Sequence, residues 1–177
     1  LIPNFAHMKQ IVCDGGSTKA AWWIDGTLST TTGVNPLVMD SDTLVATLPD
    51  LPTADAIWYY GAGCTPTAIP LMQKALAEKS ATPTSNIHVA SDMLGAARAM
   101  CQDCEGIVAI LGTGANSCLY DGCNIAQNTT ALGFILGDEG SGAVLGRTLV
   151  GDLYKGVLPH TLLQQFEAET GLPQASI

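Results

Sequence analysis

Gln10-Ile11-Val12-Cys13-Asp14-Gly15-Gly16-Ser17-Thr18-Lys19-Ala20-Ala21-Trp22-Trp23 is the stretch on which the reading of this chain turns. A short apolar strand runs into an aspartate, two glycines, two hydroxyls and a lysine, and a second apolar strand follows. Gly15 and Gly16 lack a Cβ, so backbone and ligand can approach closely there. Successive N–H groups in such a turn form an anion-binding concavity. Ser17, Thr18 and Lys19 add donors and a positive charge, and Asp14 at the strand's carboxyl end suits Mg²⁺, held directly or through water. The stretch reads as a phosphate-binding hairpin; an ordinary tight β-turn is the plainer alternative.

Composition bounds what surrounds it. The chain has 177 residues, 47% of them hydrophobic, enough for one large domain or two small ones. Net charge is −9, and the seven Lys/Arg form no cluster, which argues against a nucleic-acid groove. No apolar run approaches the about 18 residues of a membrane helix, so no membrane partner is expected. Residues 1–7 precede Met8 and read as a leftover cloning junction. Six cysteines lie scattered through apolar segments, as buried thiols do in a reducing compartment, so a cytoplasmic location is expected. Cys101-x-x-Cys104 has no second CxxC and no His pair nearby, and reads as structural rather than metal-binding.

Outward from the opening stretch, Lys9–Asp14 and Ala20–Asp25 are expected strands. Asp25-Gly26 is a two-residue hairpin signal leading into Thr27–Thr32. Gly33-Val34-Asn35-Pro36 breaks the pattern; Asn35 is a candidate polar ligand contact or simple turn chemistry. A short helix is expected over Ser41–Leu48, a strand over Ala56–Gly61, a helix ending near Lys79 and a strand over Ile87–Ala90. Ser91 caps a helix through about Met100. Asp92, in its first turn, either complements the helix dipole or acts as a general base at the carboxyl edge of the sheet, where open α/β sheets place ligands.

The pattern then starts again. Ile107-Val108 repeats Ile11-Val12 at an offset of 96, Gly112 matches Gly16, and Asp121-Gly122 matches Asp25-Gly26. This reads as an internal duplication, giving an N-terminal domain over 8–104 and a second over 105–177. The second turn, Gly112-Thr113-Gly114-Ala115-Asn116, again offers N–H groups and a hydroxyl. Neither turn is a Walker loop or a dinucleotide fingerprint, because a strand follows each. A third motif, Gly137-Asp138-Glu139-Gly140-Ser141-Gly142-Ala143, precedes a helix to about Tyr154. Its small residues cost helix propensity, roughly 1 kcal/mol per Gly, and imply close approach of another backbone or a ligand, or tight helix packing. A last helix is expected over His160–Thr170, ended by Gly171 and Pro173.

Together these motifs resemble the N-acetylglucosamine kinase and BadF/BadG/BcrA/BcrD ATPase group of the sugar kinase, Hsp70 and actin superfamily, from Met8 to about Lys155. Asp14–Lys19 resembles its first phosphate motif, Gly112–Asn116 its second, and Gly137–Ser141 its most specific one. The resemblance implies an α/β fold of duplicated ribonuclease H-like, actin-like lobes, with ATP and Mg²⁺ as cofactors and phosphoryl transfer to a sugar. It makes Asp92 the catalytic base and Asp14 the metal ligand. Gly15, Gly16, Ser17, Thr18, Lys19, Gly112, Thr113 and Gly114 become phosphate contacts. Asn35, Asp92, Thr113, Gly114 and Asp138 become sugar contacts. Eukaryotic N-acetylglucosamine kinases carry Ser where this chain has Ala115, and Gly-Gly-Trp-Gly where it has Thr130-Ala131-Leu132-Gly133. By the same resemblance the later strands and the adenosine site are missing, so the second lobe is expected to be incomplete, with an open sheet edge that favours a homodimer. The rival expectations are an ATPase activator of a dehydratase or reductase, and a sugar-binding regulator without catalysis.

Overall fold

The structure, a computed structural model, describes residues 8–172; residues 1–7 and 173–177, with them the expected cloning junction and Pro173, lie outside the described residues. Five strands, β1 (Gln10–Gly15), β2 (Lys19–Ile24), β3 (Thr27–Thr32), β4 (Ala56–Gly61) and β5 (Ile87–Ser91), form one sheet in the order β3-β2-β1-β4-β5. β2 runs antiparallel to β1 and β3, and β4 and β5 continue parallel to β1. Asp25 and Gly26 both take positive φ, 48° and 80°, as a two-residue hairpin with the strands' own twist requires. Helices α1 (Ser41–Thr47) and α2 (Ile69–Ser80) make the crossovers from β3 to β4 and from β4 to β5.

The alternation of the strands sets the core. Ile11, Cys13, Trp22, Ile57, Tyr59 and Ile87 point to one face and pack against Leu44 of α1 and Met72, Ala75 and Leu76 of α2. Each such buried aliphatic side chain stabilises the fold by about 1.5–3 kcal/mol. The opposite face carries Asp14 beside Tyr60 and Trp58 beside His88. Helix α3 (Asp92–Cys101) lies there, with Gly95 so close to Tyr60 that an added Cβ would stand 2.6 Å from its Cβ. Ser91 caps α3 by accepting from Leu94 N at 3.2 Å. Asp40 caps α1 by accepting from Thr43 N at 2.8 Å; its backbone is extended, as an N-cap requires.

A second sheet joins β6 (Glu105–Leu111), β7 (Ala115–Asp121) and β8 (Ile125–Asn128) in that order. The Asp-Gly pair works differently here. Gly122 alone takes positive φ, 91°, while the Asp121 carboxylate accepts from Asn124 N at 2.7 Å and Cys123 N at 2.9 Å. Those two bonds hold the Asp121 carboxyl below its usual range. Helices α4 (Gly133–Leu136), α5 (Gly142–Tyr154) and α6 (His160–Thr170) complete the chain, and Gly171 ends α6 in the left-handed conformation. Among the described residues the chain divides into two compact units, 8–108 with 119–126 and 109–118 with 127–172, so the division passes through β6 and β7. No helix of the described residues is long and apolar enough to cross a membrane.

Candidate active site

In the first unit the parallel run of β1, β4 and β5 brings three candidate groups to one sheet edge. Asp14 and Gly15 end β1, Gly61 ends β4, Ser91 ends β5, and Asp92 follows it as the first residue of α3. The Gly15–Lys19 turn is closed by Gly16 N donating to Lys19 O at 3.0 Å. That amide is therefore spent on the turn, whereas Ser17, Thr18 and Lys19 are exposed. The turn is braced from behind. Gly33 is buried against it, and a Cβ there would overlap the Gly16 carbonyl and stand 2.6 Å from Lys19 N. Gly15 rests on the Tyr59 phenol, where a Cβ would overlap Oη and stand 2.5 Å from Cζ.

Asn35 does turn work and also reaches the site. Its Oδ1 accepts from Leu37 N at 3.0 Å, and its Nδ2 points at Ser17 Oγ at 3.5 Å. Gly63, at φ 73°, passes so close that any side chain would collide with Asn35 Oδ1. Asp92 is half-buried, and its Oδ1 accepts from Met93 N at 2.8 Å. Burial raises its pKa above the ordinary aspartate value, and the nearby Asp14 carboxylate adds to the rise. Around them lie apolar neighbours: burial pushes the Cys64 thiol up to about 12, and Cys13 and Tyr59 are raised further by the same cause. Tyr59 Oη has no hydrogen-bond partner among the described residues.

The second unit builds its own cluster. Gly112 N donates to Gly114 O at 2.9 Å, closing the Gly112–Asn116 turn. The first amides of α5 then hold that turn: Gly142 N donates to Gly112 O at 2.8 Å and Ala143 N to Thr113 O at 3.3 Å. A Cβ on Gly142 would stand 3.4 Å from Gly112 O, an ordinary contact, and nothing lies within 4 Å of a Cβ on Gly146, so close approach of another backbone accounts for neither glycine. Ser141, fully buried, caps α5 through Val144 N at 3.2 Å. Asp138 adopts φ 61°, a costly conformation for a non-glycine residue. Its Oδ1 accepts from Ala115 N at 3.1 Å, and a Cβ on Gly114 would stand 3.2 Å from both of its oxygens. A cavity of about 340 Å³ opens beside Asp138, walled by Asn116, Ser117, Thr129, Leu132 and Glu139. Ser117 and Thr129 share a hydroxyl–hydroxyl bond of 2.8 Å on this wall. Asp138 is among the residues that the family resemblance singles out; Ser117 and Thr129 carry no sequence signal beyond polarity in or beside a strand.

No protein-family model matches the chain, and no curated protein matches it significantly. The solved structures similar to it include two described as putative N-acetylglucosamine kinases. The one from Porphyromonas gingivalis is 42% identical with a TM-score of 0.81 over 93% of this chain. The one from Chromobacterium violaceum is 22% identical with a TM-score of 0.53 over 80% of this chain, a likeness of fold alone. The chain spans 63% of the length of the first and 55% of the second. At 42% identity over 93% of its length the chain is similar to the Porphyromonas gingivalis protein, consistent with an N-acetylglucosamine kinase-like family.

Proposed function

We propose that this chain carries phosphate- and sugar-binding elements of an ATP-dependent kinase acting on an amino sugar, N-acetylglucosamine in the first instance. Residues 8–104 and the residues from 105 on are read as duplicated ribonuclease H-like lobes of the actin-like ATPase type. The observation that carries the reading is the convergence of the Gly15–Lys19 turn, Asp14 and the half-buried Asp92 at the carboxyl ends of β1, β4 and β5.

Phosphoryl transfer asks a protein for positioning and charge stabilisation more than for covalent chemistry. Asp92 takes the proton of the acceptor hydroxyl as that oxygen bonds to the γ-phosphorus and ADP departs. A carboxylate with a raised pKa holds that proton better than an ordinary aspartate. In the first unit Ser17, Thr18 and Lys19 offer exposed donors for phosphate and Asn35 a polar contact for the sugar; in the second unit, taken by itself, Thr113 and Gly114 are read as phosphate contacts and Asp138 as a sugar contact. Asp14 offers a hard carboxylate oxygen, and no group of three metal-binding side chains occurs among the described residues. That donor set fits Mg²⁺, which takes one or two carboxylates and keeps waters and phosphates for the rest; when bound, it would offset phosphate charge.

Calorimetric titration with N-acetylglucosamine, glucosamine and Mg-ATP separately tests the reading. Heat of binding for N-acetylglucosamine and for Mg-ATP supports the kinase. Sugar binding without nucleotide binding favours a regulator, and nucleotide binding without sugar binding favours an ATPase activator.

A further inference from the structure

We propose that a second cavity, beside the free edge of β5 and built wholly within the first unit, binds a small organic oxyanion: a carboxylate or phosphate monoester on a planar or apolar body. The cavity measures about 360 Å³, within the range of small-molecule sites. None of the groups assigned to sugar, nucleotide or metal lines it.

Its chemistry is one-sided. Arg98 of α3 lies over the Tyr60 ring, 6.0 Å from the centroid, and donates to Tyr60 Oη at 3.1 Å. A guanidinium has five N–H donors, so most remain for a ligand, and Tyr60 keeps its own O–H to donate. His88 stacks on Trp58 at 4.0 Å and 19°, which gives the cavity a flat aromatic wall. Leu94 adds an apolar side. No Asp or Glu lines the cavity, although the chain carries 16 of them against seven Lys/Arg. The ion pair found among the described residues, Lys79 with Asp50, lies elsewhere, and Arg98 has no carboxylate partner there. A cation without a carboxylate partner in an acidic chain, held in place by an aromatic ring and ringed by further donors, fits an anion.

The occupant is small rather than an added strand. Gln73 reaches from α2 and donates from Nε2 to Ile87 O at 2.9 Å, so the β5 edge is already closed at that carbonyl.

The test titrates the protein with inorganic phosphate, benzoate, glucosamine 6-phosphate and AMP at constant ionic strength, following the Trp58 indole and His88 signals by NMR. Saturable shifts with benzoate or with either ester, at a dissociation constant of about 1 mM or below, are expected. Benzoate alone marks a carboxylate site, and an ester alone marks a phosphate site. Arg98→Met is expected to weaken that binding about tenfold or more, because a charge-assisted hydrogen bond is lost. Tyr60→Phe, which keeps the ring and frees Arg98 from its anchor, should weaken it less. Arg98 is exposed, so the variant is expected to melt as the parent does. Failure of all four probes to saturate those signals, unchanged affinity in Arg98→Met, or inorganic phosphate binding as tightly as the esters would each overturn the proposal.

Discussion

Gly15→Ala tests whether the Gly15–Lys19 turn is built on the Tyr59 ring. The added methyl would overlap Tyr59 Oη and stand 2.5 Å from Cζ. The ring cannot retreat: Tyr59 is 0% exposed, Trp22 packs against it at 5.8 Å, and Gly61 already abuts its Cε1 edge. Overpacking a closed site costs about 1–3 kcal/mol, and the lack of any escape puts this case near the upper end. For a chain of this size 3 kcal/mol corresponds to a fall in Tm of roughly 6–12 °C. A double-mutant cycle sharpens the test. Tyr59→Phe removes Oη but leaves Cζ, so Gly15→Ala should cost about 1 kcal/mol less in that background, a coupling typical of residues in contact. Urea unfolding of the four proteins measures both quantities. If Gly15→Ala costs under about 0.5 kcal/mol, the range of an ordinary surface substitution, or costs the same in both backgrounds, the turn is not braced by this ring.

Three further variants follow from the same geometry. Tyr59→Phe alone deletes a buried hydroxyl without a partner among the described residues and should stabilise by about 1 kcal/mol, read as a rise in the urea midpoint. In a full-length version Asp92→Asn should lower kcat by orders of magnitude with little change in sugar affinity, measured by coupled ADP release and calorimetry. The same variant has a stability signature. The folded pKa of Asp92 lies above its unfolded value of 3.8, so its contribution is fully present below that pH and is lost as pH rises through the folded pKa; Asp92→Asn should remove this fall from a Tm-against-pH series. Ser91→Ala should cost about 1 kcal/mol by stripping the cap from Leu94 N, seen as a lower urea midpoint.

What the sequence disclosed was the local chemistry. The strands either side of Gly15–Lys19, the Asp25-Gly26 hairpin and the Ser91 cap are each settled by neighbouring residues, and each stands within a residue or two of where periodicity and turn chemistry place it. Pro70 sits in the first turn of α2, where a missing N–H costs nothing. The braces were not legible. Gly33 against the Gly16 carbonyl, and Gly63 against Asn35, are contacts between segments far apart in the chain, and both glycines read as loop punctuation until the sheet brings them together. The orphaned hydroxyl of Tyr59 is equally silent, because a tyrosine in an aromatic strand carries no mark of where its oxygen ends. The four-residue α4 is too short for any periodic signal, and its Phe134, Ile135 and Leu136 are exposed. The strain at Asp138 is invisible to pattern, since its positive φ comes from the bonds to Ala115 N and Ser141 N that the folded turn makes.

Phosphorus-31 NMR of the protein with Mg-ATP and N-acetylglucosamine tests the central claim most directly. A sugar phosphomonoester resonance should grow in step with ADP and be absent with Asp92→Asn. ADP forming with inorganic phosphate at the same rate whether or not sugar is present would contradict the account.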